Sequence, residues 1–189
     1  MVNLALFATG SGSNAEAIIS YFKDHPHVRV SCIISNKPDA YVLQRAKNHS
    51  IDARVFQKSE FENGNVLEYL NEKKVDMIAL AGFLLLVPES LIASFPILNI
   101  HPALLPKFGG KGMYGMNVHK AVAEAGESES GMTIHVVDQN YDEGKILFQE
   151  SCPVYTTDTP ETIAARVLKL EHKNYPRVIE EFAKKAYNF

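Results

Sequence analysis

Two residues carry the most chemical content, Asn99 and His101, in the run Ile97-Leu98-Asn99-Ile100-His101-Pro102. They lie two apart in an apolar stretch, and on a strand such residues face the same side. A carboxamide that donates to a developing oxyanion would then stand beside an imidazole that titrates near neutrality. Pro102 and Pro106 restrict the backbone of the loop that follows. The pair suits attack on a carbonyl with proton exchange. A strand-end histidine also serves packing, and spacing leaves both readings open.

A carboxylate near His101 would orient its ring and favour the imidazolium. Asp142 stands in the polar run Asp138-Gln139-Asn140-Tyr141-Asp142-Glu143. On residues alone it is either that partner or a solvated turn acid, and for Asp138 and Glu143 the turn reading is simpler. A third candidate is Gly10-Ser11-Gly12-Ser13-Asn14-Ala15, placed after an apolar strand and before a helical pattern. Free N–H groups and the helix dipole favour a phosphate there. The alternative is a capping box from Ser13 to Glu16. A dinucleotide site also wants an acid at the end of the second strand, where this chain has Ser35 and Asn36. That disfavours a nicotinamide cofactor. Leu84, Leu85, Leu86 and Val87 read as core, or as an apolar wall for a flat heterocycle.

The other histidines are weaker candidates. His25, His27 and His49 fall in loops or at a helix end, His119 in the first turn of a short helix, and His135 in a strand as a packed side chain. None has a metal-site spacing with a third ligand, so no metal is expected.

These residues need a scaffold. Strands are predicted over residues 4–8, 28–35, 53–56, 75–81 and 97–101, and helices over 15–22, 40–48, 61–73 and 88–94, with Gly64 inside the third helix. This alternation implies an α/β fold with a doubly wound, mostly parallel, Rossmann-like sheet and a mixed C-terminal part. Ligands of such sheets bind beyond the strands' carboxyl ends. The glycine loop, the Gly82-Phe83 turn and the Asn99/His101 strand end should therefore share one rim. Further on, residues 109–115 are glycine-rich, residues 118–125 form a helix, and strands 131–137 and 145–154 pair. Thr159 and Pro160 open a long helix that Pro176 should break or kink.

The chain has 189 residues, 46% hydrophobic and 22% charged, with net charge −3. This fits one domain, 1–189, and gives no nucleic-acid footprint. No run reaches membrane-span length, and no basic segment precedes the first strand. Cys32 and Cys152 form no disulfide framework. The expected setting is cytoplasmic, with small-molecule substrates, no nucleic acid, no membrane, and a monomer or homodimer.

Gly-Ser-Gly-Ser-Asn, Leu-Ala-Gly-Phe, Asn-Ile-His-Pro-Ala-Leu-Leu-Pro, Gly-Met-Thr-Ile-His-Val-Val and the later Asp142 occur in this order. Together they resemble the folate-dependent formyltransferases from Leu4 to about Phe182, and the first points to the glycinamide ribonucleotide branch. The resemblance implies a catalytic triad of Asn99, His101 and Asp142, with Asp142 raising the His101 pKa and His101 acting when protonated. It implies that Gly12, Ser13 and Asn14 hold the phosphate of glycinamide ribonucleotide and that Glu171 holds its ribose. It places Leu84, Leu85, Leu86, Val87, Asp138, Gln139, Asn140 and Tyr141 along the folate. Residues 1–100 would be the phosphate-binding half and 101–189 the folate and catalytic-loop half. The implied co-substrate is 10-formyltetrahydrofolate and the implied reaction is formyl transfer in de novo purine synthesis. The alternatives are a formyltetrahydrofolate hydrolase and a nonenzymatic nucleotide- or folate-binding module.

Overall fold

The sheet begins with an apolar strand whose side chains alternate between two buried layers. A computed structural model describes all 189 residues, Met1–Phe189. In β1 (Val2–Phe7), Leu4 and Leu6 enter one core while Ala5 and Phe7 enter the other. A strand covered on both faces needs this unbroken apolar run. Beside it lie β2 (Val28–Ser35), β3 (Asp52–Val55), β4 (Met77–Leu80) and β5 (Ile97–His101), all parallel. Two antiparallel strands, β6 (Glu129–Val136) and β7 (Ile146–Pro153), complete the order β3-β2-β1-β4-β5-β6-β7.

The first core lies under α1 (Ser13–Phe22), α2 (Val42–Asn48), α6 (Met116–Glu124) and α7 (Pro160–Tyr187). The second packs α3 (Lys58–Glu62), α4 (Asn65–Glu72) and α5 (Glu89–Ser94) on the other face. The single helix expected over 61–73 is two helices. Gly64 has a φ of 93°, a left-handed turn that ends one helix and starts the next.

Pro176 does not break α7, which runs unbroken for 28 residues. Proline removes one intrahelical donor, but Tyr175, Pro176, Val178 and Ile179 are all buried in the same turn. That packing holds the helix through the defect. Tyr175 is fully buried, and its hydroxyl lies 3.1 Å from the Leu80 carbonyl and 2.9 Å from that of Leu98. One phenol thereby fastens α7 to the end of β4 and to β5.

Strand order reverses beside β1, between β1 and β4, and there the rim opens. Thr9 closes the seam. Its N–H donates to the Gly82 carbonyl at 3.0 Å, and its hydroxyl donates to Asn36 Oδ1 at 2.7 Å. The same oxygen accepts the Leu84 N–H at 3.0 Å. The Gly10–Asn14 loop, the Gly82-Phe83 turn and the end of β5 line one cavity, as the topology requires.

Tyr175→Phe should therefore fold with the same secondary structure yet lose about 1–2 kcal/mol, the typical value of a buried hydrogen bond. Urea denaturation checks this, and an unchanged midpoint would show that the hydroxyl holds nothing.

Candidate active site

The β5–β6 pairing builds the centre of the site. Its antiparallel register sets Asn99 opposite His135 and His101 opposite Thr133. Asn99 Nδ2 donates to His135 Nε2 at 3.1 Å, while His135 Nδ1 donates to the Val136 carbonyl at 3.0 Å. Asn99 Nδ2 also reaches Asp142 Oδ1 at 3.4 Å.

Asp142 arrives from the β6–β7 connection. Its φ of 59° is a left-handed conformation that costs most side chains energy but that aspartate tolerates. This turn directs the carboxylate inward, where Oδ2 accepts the Gly110 N–H at 3.0 Å and lies 3.5 Å from His101 Nδ1. Its other oxygen is 3.5 Å from His135 Nε2. Gly144 lets the turn close, because a Cβ there would stand 1.7 Å from the Val136 carbonyl oxygen.

His101 is almost fully buried, and its Nε2 donates to the Phe108 carbonyl at 2.8 Å. With Nε2 carrying a hydrogen, Nδ1 is left to accept a proton on the side facing Asp142. Burial pulls the imidazole below its ordinary value, and nearby His135 adds to this; Asp142 and the Phe108 carbonyl push it up but do not prevail. The resting protein thus favours the neutral imidazole, where the resemblance implied a His101 that acts when protonated. Asp142 does act in the expected direction, yet desolvation outweighs it. For Asp142 itself, burial raises the pKa. The contacts and charges of His135 and His101, with the Gly110 N–H, overcome this and hold the carboxyl below the usual range.

Thr133 supports the loop behind His101. Its hydroxyl donates to the Ala103 carbonyl at 2.6 Å and accepts from the Leu105 N–H at 3.0 Å and Gln149 Nε2 at 2.8 Å. The proline-bracketed loop is thus tied to the sheet at two backbone points.

A cavity of about 540 Å³ extends from this cluster along the rim. At one end lie Gly12, Ser13, Asn14 and Glu171. Gly12 caps α1 in the left-handed region with no side-chain cap, and Glu16 turns away to Arg45 and His49. The capping-box reading of Ser13 to Glu16 therefore fails, and the first turn keeps its donors. Asn14 Nδ2 donates to Glu171 Oε2 at 2.7 Å, and Asn14 Oδ1 is buried with no partner. Burial pushes the Glu171 carboxyl up to about 7, against the lowering effect of Asn14.

At the other end the cavity is lined by Leu84, Leu85, Leu86, Val87, Asp138, Asn140 and Tyr141. Leu84, Leu86 and Tyr141 are exposed there, so the leucine run is a wall more than a core segment. Gln139 departs from the expected set: it does not line the cavity, and its Nε2 donates to Glu89 Oε1 at 3.0 Å.

His135, read from the sequence as a packed side chain, lines the cavity and touches both Asn99 and Asp142. Strand pairing places it there, and its spacing from Asn99 carried no signal. His119, read from the sequence as sitting in the first turn of a short helix, is buried, lines the same cavity and leaves Nδ1 without a partner. No group of three or more His, Cys, Asp or Glu side chains is arranged to hold a metal, and no helix is long and apolar enough to cross a membrane.

A doubly wound sheet with an amide, imidazole and carboxylate at the carboxyl end of a strand, opening on a long cavity, defines a protein that handles small molecules at a strand-end rim. The formyl transferase family model matches residues 2–179, and the chain belongs to that family. It is 44% identical over 185 residues to the chloroplastic phosphoribosylglycinamide formyltransferase of Vigna unguiculata, covering 94% of this chain and 59% of that one. The chain thus spans about three-fifths of the length of that plant relative. It is 36% identical to the phosphoribosylglycinamide formyltransferase of Bacillus subtilis, covering 96% of this chain and 94% of that one. The solved glycinamide ribonucleotide transformylase 1 of Symbiobacterium toebii superposes with a TM-score of 0.89 at 34% identity, covering 98% of this chain and 89% of that one.

The raised Glu171 pKa has a stability consequence of known sign. The folded state holds this proton more tightly than the unfolded chain. Its contribution is full below the ordinary glutamate value of 4.5 and is lost as pH rises through about 7. Glu171→Gln should remove the loss, so the variant should gain stability relative to the wild type between pH 5 and pH 8. The expected gain is on the order of 1–3 kcal/mol. Parallel denaturation curves at the two pH values would show it, and a constant difference would contradict it.

Proposed function

We propose that this chain transfers the formyl group of 10-formyltetrahydrofolate to the amine of glycinamide ribonucleotide, a step of purine synthesis. The observation that supports this most is the meeting of Asn99, His101 and Asp142 in one cavity that the uncapped start of α1 and an apolar wall also line. The start of α1 suits a phosphorylated sugar, because free N–H groups and the helix dipole attract an anion. Leu84, Leu86 and Tyr141 suit the faces of a pterin. The polar cluster is where amine and formyl group would meet.

The amine nitrogen attacks the formyl carbon, a C–N bond forms, and the carbonyl electrons move to oxygen. Asn99 Nδ2 donates to that oxygen, giving up its long 3.4 Å contact with Asp142 as the charge develops. The attacking nitrogen becomes cationic and loses its proton to His101 Nδ1. Asp142, 3.5 Å away, stabilises the imidazolium so formed. The tetrahedral species then collapses: the carbonyl re-forms, the bond from the formyl carbon to the folate nitrogen breaks, and that nitrogen takes the proton held by His101, which returns to its neutral form. A neutral imidazole in the resting protein fits this sequence, because a base must begin unprotonated.

Asn99→Ala should lower turnover by about 10²–10³, as loss of one oxyanion donor does, while the protein stays folded. An absorbance assay of 10-formyltetrahydrofolate consumption, with and without glycinamide ribonucleotide, tests both claims. Consumption that requires the ribonucleotide supports the transferase reading, and equal consumption without it would make the protein a hydrolase. Near-wild-type turnover by Asn99→Ala would remove the oxyanion role.

Because His101 must be neutral and burial lowers its pKa, the acidic limb of kcat/KM should lie below the ordinary histidine value of 6.5. Asp142→Asn removes the main influence that raises it, so the limb should move to still lower pH. A limb that stays in place would separate Asp142 from His101.

A further inference from the structure

We propose that Arg45 is the positioning residue that makes the Gly10–Asn14 loop a phosphate cradle. This rests on the reading of that loop as the phosphate end of the ribonucleotide site.

The cavity has an electrostatic shortfall. A phosphate monoester carries close to two negative charges at neutral pH, yet no lysine or arginine side chain lines the cavity. What the loop offers is backbone. The N–H groups of Ser11, Gly12, Ser13, Asn14 and Ala15 have no backbone partner in the chain. A run of free donors binds an anion only if the neighbouring carbonyls point elsewhere.

The start of α2 turns them away. The Val42 N–H donates to the Gly10 carbonyl at 3.2 Å, and Arg45 Nε donates to the Ser11 carbonyl at 2.8 Å. A trans peptide is planar, with its C=O and the next N–H pointing in opposite directions. Tying these two carbonyls towards α2 therefore directs the N–H groups of Ser11 and Gly12 away from α2. Packing enforces the same approach: a Cβ on Gly12, whose φ is 69°, would lie 2.5 Å from Val42 Cγ2. The loop can sit this close to α2 only because position 12 is glycine.

Arg45 is itself held in place. Its Nη1 donates to Glu16 Oε2 at 2.9 Å, and its guanidinium lies 5.0 Å from the centre of the Tyr41 ring. His49 Nε2 stands 2.7 Å from the other Glu16 oxygen. Arg45 thus supplies a cation one layer behind the loop, with a fork aimed at a peptide carbonyl. A lysine would keep the charge without the fork. In the same corner Asn14, nine-tenths buried, leaves Oδ1 unpartnered, an acceptor suited to a sugar hydroxyl.

The test separates phosphate positioning from a general structural role. Arg45→Met should raise KM for glycinamide ribonucleotide about tenfold or more, a loss of one charge-supported contact. Its kcat should stay within about twofold and its KM for the formyl donor should not change. Arg45→Lys should fall between the two. The same comparison in a Glu16→Gln background removes any effect of stranding the Glu16 charge. Glycinamide riboside, which lacks the phosphate, should show no difference between wild type and Arg45→Met.

An unchanged ribonucleotide KM would overturn the proposal. So would a loss shared equally by the riboside, by kcat and by the donor KM. Calorimetric binding of ribose 5-phosphate keeps the inference separate from the reaction. Weaker binding by Arg45→Met in a protein that forms no formylated product would uphold Arg45 and reject the transferase reading. Equal binding by both proteins would reject Arg45.

Discussion

A buried carboxylate needs partners, and Asp142 takes them from separate parts of the chain. Stripped of water, a lone carboxylate would cost several kcal/mol or would protonate. Here Asn99 of β5 and the Gly110 N–H of the glycine-rich segment donate to it, and His135 of β6 and His101 at the end of β5 each stand 3.5 Å away. These groups belong to different segments: 99–101, 110, 135 and 142. Satisfying one oxygen pair therefore sets the β5–β6 register, the path of the β6–β7 connection and the position of residues 109–110. The left-handed backbone at Asp142 and the close approach at Gly144 are local costs of that convergence.

The rest of the scaffold removes slack around this cluster. Thr133 fixes the loop after His101 through two backbone bonds, and Phe108 at the end of that loop orients the imidazole through its carbonyl. Thr9 joins the ends of β1, β2 and β4, and Tyr175 fastens α7 to β4 and β5. Each is a single side chain that satisfies backbone groups at strand ends, where the ladder runs out of partners. The reactive groups hang from backbone held at several points, and transfer between two substrates needs that precision.

The legible part of this structure in the sequence was whatever depends on local pattern. The apolar runs of β1, β2, β4 and β5, the glycine loop before α1, and the same-side placement of Asn99 and His101 follow from strand and helix periodicity. What depends on pairing between distant segments was not legible. His135 became part of the site because an antiparallel register sets it opposite Asn99, and nothing near position 135 encodes that neighbour. Thr133 was invisible for the same reason. Pro176 does not end α7, because tertiary burial on the same turn outweighs the local tendency of proline to break a helix. Gln139, placed with its neighbours by resemblance, points to Glu89 and away from the cavity. The net lowering of the His101 pKa was also hidden, since its largest cause is burial.

Desolvation acts on two groups of the cavity with opposite sign. It lowers the pKa of the base His101 and raises that of the acid Glu171, so each shifts towards its neutral form. Asp142 escapes because donors and nearby imidazoles surround it. The cavity's other acidic side chains are Asp138 and Asp142, and no lysine or arginine lines it. Such a site favours reactions in which charge is created after binding. A proton passed to His101 there meets a carboxylate 3.5 Å away across a medium of low dielectric, where the attraction far exceeds its value in water. An oxyanion beside Asn99 gains in the same way. The burial that makes the free imidazole reluctant to charge also makes the ion pair strong once the reaction forms it. The pKa shift and the proposed chemistry are two consequences of the same exclusion of water.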